Sequence, residues 1–139
     1  MGAPQILHAT AVAIDGQGVL IRGASGSGKS SLALELMARG AILVSDDRTV
    51  LSPHPDGVEL SAPPAIAGKI EARGIGLLRA RCTTAMLSVV LDLDVTETKR
   101  LPLMRYTVLQ GREVPLLHKV DTPYFASALM QYIAGGRED

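Results

Sequence analysis

Apolar residues along this chain come in short blocks cut by Gly, Asp and Pro. Thr10-Ala-Val-Ala-Ile14 and Val19-Leu-Ile21 flank Asp15-Gly16-Gln17-Gly18. Asp-Gly supplies the positive φ angles of a tight turn, so this segment predicts a β-hairpin. Over residues 29–39 the spacing changes to that of a helix, with Leu32, Leu36 and Met37 recurring around Ala33 and Leu34. Gly40 follows where a left-handed C-cap belongs. Ala41-Ile-Leu-Val44 is a continuous apolar run that stops at Ser45-Asp46-Asp47, the pattern of a buried strand carrying polar groups at its tip. Pro53-His54-Pro55-Asp56-Gly57 predicts a turn before Val58-Glu-Leu60.

The second half is less regular. Residues 61–68 are rich in Pro, Ala and Gly, and residues 69–76 read as a loop by composition. Met86-Leu-Ser-Val-Val-Leu91 predicts a second buried strand, followed by the acidic positions Asp92, Asp94 and Glu97. Residues 100–111 show no clear period. Residues 114–120 suggest an edge strand, because Pro115 cannot donate to a ladder. Asp121 or Thr122, with Pro123 at the first helical position, predicts a final helix carrying Tyr124, Phe125, Leu129 and Ile133 and ended by Gly135-Gly136.

Composition narrows the classes. A chain of 139 residues that is 47% hydrophobic and 20% charged suits one core and one domain, residues 1–139. Fourteen basic residues balance fourteen acidic ones, so no global basic field is available for nucleic acid. With 3% aromatic residues and no Trp, stacking platforms for bases are not expected, and the core must be built from Ala, Leu, Val, Ile and Met. The single cysteine, Cys82, has no intrachain partner, and no CxxC or Cys/His cluster offers a metal site. That usage fits a reducing cytoplasm. Neither a signal-peptide pattern nor an apolar run of ~20 residues is present, so the sequence reads as that of a soluble, cytoplasmic protein without membrane insertion.

Between the hairpin and the first helix lies Gly23-Ala24-Ser25-Gly26-Ser27-Gly28-Lys29-Ser30, the spacing Gly-x4-Gly-Lys-Ser. In that strand-loop-helix context it is a phosphate-binding loop. The glycines let successive backbone N–H groups point inward, and the helix N-terminus adds positive potential. Lys29 is expected to reach the terminal phosphates of a nucleotide and Ser30 to ligate Mg²⁺. Asp46 and Asp47, at the tip of the strand one helix later, lie where an acid can reach that ion. Because side chains alternate along a strand, one of the two could serve the metal while the other accepts a proton from an attacking hydroxyl.

These elements together, with His8 and Ile70-Glu71-Ala-Arg73-Gly-Ile-Gly76, resemble the catalytic domain of bacterial HPr kinase/phosphorylase. The family reads close to G-x-S-G-x-G-K-S, A-L-E-L-x-x-R-G, V-A-D-D and E-x-R-G-x-G-I. The likeness is specific over residues 6–78 and faint from residue 80 onward. It implies an α/β fold of the P-loop kinase type, a mixed central β-sheet with flanking helices. It also implies an ATP- and Mg²⁺-dependent protein serine kinase acting on HPr, or on its nitrogen-system counterpart, and, as a second activity of family members, phosphorolysis of the phosphoserine in the same pocket. A homo-oligomer, trimer or hexamer, is the corresponding expectation.

On this resemblance Asp46 is assigned as the base and Asp47 as its support or a metal ligand, an order that could be reversed. Glu71 is a second anchor for Mg²⁺, Arg73 a partner for phosphate charge or for its own loop, and His8 an active-site histidine. His54 and His118 are expected to be structural. The sequence departs from the family at Ser31, where Glu is usual, and at Ser45, where Ala is usual. The family's N-terminal domain has no counterpart here, which reads as a short form. Arg100, Arg105 and Arg112 are only loose equivalents of the family's phosphorolysis residues. Two rival readings share the loop and the acids: a small-metabolite kinase, which should carry an Arg-rich lid, and a nucleotide-sensing module without catalysis.

Overall fold

The computed structural model describes residues 2–139. Its first unit is the hairpin of β2 (Ala9–Ile14) and β3 (Gln17–Arg22), joined by a two-residue turn with Asp15 at φ 48° and Gly16 at φ 76°. Both positive angles match the turn type that Asp-Gly favours. The phosphate loop follows directly, and α1 (Lys29–Ala38) begins at its lysine. Next come β4 (Ile42–Ser45) and the hairpin of β5 (Thr49–His54) with β6 (Gly57–Ser61). β1 (Gln5–Leu7) lies antiparallel to β5.

The long strand β9 (Ala85–Thr96) organises the sheet, whose order is β1-β5-β6-β9-β3-β2-β4. β3 runs parallel along one edge of β9. The other edge is shared: β6 pairs antiparallel at Ala85 and Met86, and β11 (Arg112–Lys119) pairs parallel from Val90 onward. β10 (Arg105–Leu109) completes the sheet beyond β11.

Alternation along the central strands makes two cores. Val12, Ile14, Val19, Ile21, Val89 and Leu91 face α1 and α2 (Phe125–Gly135), meeting Leu32, Leu36, Ala126 and Leu129. On the other face Ala9, Ala11, Ala13, Leu20 and Val90 pack with Leu51, Val58 and Leu60 of the β5–β6 hairpin. Both helices therefore flank one face, and the expected mixed sheet holds.

Several expectations are corrected. Residues 69–76 are no loop: β7 (Lys69–Ala72) and β8 (Gly76–Arg79) form a separate two-stranded hairpin. The second buried strand continues to Thr96, so Asp92 and Asp94 lie within β9. β11 is interior, since Pro115 sits opposite Tyr106 of β10 and pairing with β9 begins only at Leu116. Pro123 precedes the last helix, whose N-cap is Tyr124. No described helix is long and apolar enough to cross a membrane.

Candidate active site

Register brings the chemistry to one end of the sheet. Ala9 pairs with Arg22, Ala11 with Ser45, and Arg22 with Asp92. The start of β2 and the ends of β3, β4 and β9 therefore converge, with His8, the phosphate loop and the Asp46-Asp47 pair around one cleft of about 340 Å³. Its lining includes His8, Ser25, Gly26, Gly28, Lys29, Ser30, Asp47, Glu71 and Arg73. Gly23, Ala24, Ser27 and Asp46 are not part of that lining.

The two aspartates differ sharply in environment. Asp46 is buried, 8% exposed. Its Oδ1 accepts from Ser30 Oγ at 2.6 Å and from Thr10 Oγ1 at 3.0 Å, and its Oδ2 accepts from the Glu71 N–H at 3.1 Å. Three donors satisfy a carboxylate that would otherwise be costly to bury. Asp47 is turned the other way by a left-handed backbone, φ 68°, and its side chain is 62% exposed. Such a conformation in a non-glycine residue is strained and persists only when neighbours hold it. Here the Asp47 N–H donates to Thr10 Oγ1 at 3.1 Å, and His8 Nε2 lies 2.7 Å from Asp47 Oδ1. Since an ionised carboxylate only accepts, Nε2 carries the proton in that contact.

The loop lysine is folded onto its own backbone. Lys29 Nζ donates to Gly23 O at 2.8 Å and to Ala24 O at 3.1 Å. The Ala24 N–H points away from the cleft, shared between Asp94 Oδ1 at 3.0 Å and Oδ2 at 3.1 Å. Sequence reasoning missed two residues here. Thr10 looked like one more strand residue, although a hydroxyl amid buried alanines needs a partner. Asp94 was visible as an acid after a buried strand, but its pairing partner was not.

Arg105, Arg112, His54 and His118 lie in contacts outside the cleft lining. Arg105 makes a paired contact with Glu97 at 3.1 and 3.0 Å, and Arg112 donates to the carbonyls of His54 and Pro55, so neither faces the cleft. His54 Nδ1 accepts from the Asp56 N–H within its turn, and His118 lies 3.9 Å from Glu97.

The sequence model of the HPr serine kinase C-terminal domain matches residues 1–96. The chain belongs to that family. Among HPr kinase C-terminal relatives, the HPr kinase/phosphorylase of Mycoplasmopsis pulmonis is 37% identical over 89 residues, covering 64% of this chain and 29% of that protein. The HPr kinase/phosphorylase of Cupriavidus necator is 45% identical over 80 residues, 56% of this chain and 25% of its own. The chain thus spans only about a quarter of the curated relatives it matches. The solved HPr(Ser) kinase/phosphatase of Coxiella burnetii superposes with a TM-score of 0.78 at 26% identity, over 94% of this chain and 88% of that one. The fold of this HPr kinase C-terminal domain therefore extends past the segment its sequence model covers.

Proposed function

We propose that this domain transfers the γ-phosphoryl group of ATP to a serine hydroxyl of an HPr-type phosphocarrier protein, with Asp47 as base and Asp46 on the metal side. The reading rests above all on the hydrogen bond between the Ser30 hydroxyl and Asp46 at the floor of the cleft, with Asp47 at its mouth. Ser30 and Asp46 offer adjacent hard oxygens of the kind Mg²⁺ takes together with nucleotide phosphates and waters, and Glu71 lines the same cleft. Bound there, the ion would neutralise charge on the phosphates.

The loop amides and Lys29 hold the phosphates, Lys29 keeping two of its three donors on the Gly23 and Ala24 carbonyls and giving the third to a phosphate oxygen. His8 fixes the Asp47 carboxylate through one oxygen and leaves the other free for the acceptor. The serine oxygen attacks the γ-phosphorus, its proton passes to Asp47, and the bond to ADP breaks. In phosphorolysis, inorganic phosphate attacks the phosphoserine and yields its proton to Asp47, which passes it to the departing serine oxygen as the P–O bond to serine breaks and pyrophosphate forms. ATP and such a carrier are cytoplasmic reactants, which supports a cytoplasmic location.

The test is incubation with γ-labelled ATP, Mg²⁺ and purified HPr. Asp47→Asn should lower transfer by about 10²–10⁴-fold while nucleotide still binds. Asp46→Asn and Lys29→Ala should weaken binding of the Mg²⁺ nucleotide itself. Failure of the wild-type chain to label HPr sinks the reading. Transfer retained in Asp47→Asn but lost in Asp46→Asn at unchanged nucleotide affinity returns the base to Asp46.

A further inference from the structure

A single peptide plane at the start of the phosphate loop is held from both ends. The Gly23–Ala24 peptide points its C=O at Lys29 Nζ, 2.8 Å away, and its N–H at both oxygens of Asp94. An ammonium and a carboxylate thus bracket one amide, each favouring the polarity the other requires. Asp94 is itself fixed: its N–H donates to Asp92 Oδ1 at 2.9 Å, and Asp92 Oδ2 lies 3.5 Å from Arg22 Nε. The plane is also confined sterically. A Cβ built on Gly23 would meet Ser27 Oγ at 2.6 Å and Leu93 Cβ at 3.2 Å.

We propose that Asp94 is a positioning residue for Lys29, acting through the Gly23–Ala24 peptide to hold the ammonium at the phosphate site before nucleotide arrives. Without the carboxylate, the Ala24 N–H loses its partner and the peptide is free to rotate, withdrawing the carbonyl that aligns Lys29. A pre-aligned cation binds without first paying an ordering cost, so its loss appears as weaker nucleotide affinity. The proposal rests on the nucleotide-binding reading of this loop.

The experiment measures binding of a fluorescent ADP analogue with Mg²⁺ to the whole chain. Asp94→Ala should raise Kd on the order of tenfold, and Asp94→Asn, whose amide oxygen can still accept from Ala24, should stay within about threefold of wild type. In a Lys29→Met background, Asp94→Ala should weaken binding no further, because the residue it aligns is gone. In ¹⁵N-edited spectra the Ala24 amide proton should move upfield in Asp94→Ala and stay in place in Asp94→Asn. Asp94 is exposed, so its truncation leaves the core untouched. Wild-type affinity in Asp94→Ala, or an equal loss with and without Lys29, overturns the proposal. No binding by the wild-type chain would instead overturn the nucleotide reading on which it rests.

Discussion

At Gly23 a methyl group has nowhere to go: it would press on Ser27 Oγ and Leu93 Cβ, with the backbone at φ 155°. Gly23→Ala should therefore distort the loop locally, at a cost of about 1–3 kcal/mol. The expected outcome is a lower melting temperature in a thermal scan together with loss of binding to the Mg²⁺ nucleotide. An exposed position such as Gly26, where a Cβ meets nothing within 4 Å, lacks that steric conflict. Residue types and their spacing announced the loop and both acids, because a phosphate cradle has few chemical solutions. The difference in environment between Asp46 and Asp47 was not legible. It depends on a backbone angle at Asp47 and on Thr10, a residue thirty-seven positions away in the hydrogen bond that holds it.

Among the elements, the end of β9 carries a clasp with a defined response to acid. The paired Arg105 hydrogen bonds hold the Glu97 carboxyl at about 2, against its ordinary 4.5, and the Thr98 and Lys99 amides add to the effect. A carboxyl held low in the folded state contributes stability that is complete above pH 4.5 and fades as pH falls toward 2. Glu97→Gln should thus melt below wild type at neutral pH, and the gap should close on acidification through that window. A gap that does not change with pH would remove the clasp from the stability of the domain. The β7–β8 hairpin teaches a different lesson. Its burial alternates, with Ile70 and Ala72 inward and Lys69 and Glu71 outward, so the period of a strand was present in the sequence. Gly74 and Gly76 at the turn masked it over so short a run. The final helix, by contrast, was visible from its apolar positions and misplaced only at its start.

At the scale of the molecule, α2 is the C-terminal piece that closes the helical face, with Leu129 3% exposed among residues of α1 and the sheet. Leu129→Ala should cost about 2–5 kcal/mol in urea unfolding, whereas Leu103→Ala, at an 88% exposed position, should cost little. The family model ends at Thr96, the last residue of β9, while the fold shared with the Coxiella burnetii structure runs on over 94% of the chain. Every residue lining the cleft lies before that point, and β10, β11 and α2 contribute none. The helix that carries Ser30 adds one more property. Its N-cap is Gly28, which makes no side-chain cap, and no acidic residue occupies its first turn. Its leading amides are thus left for an anion to complete. On the proposed reading, nucleotide would be a missing piece of the fold as well as a reactant, and the domain should resist unfolding and proteolysis best when phosphoryl donor is abundant.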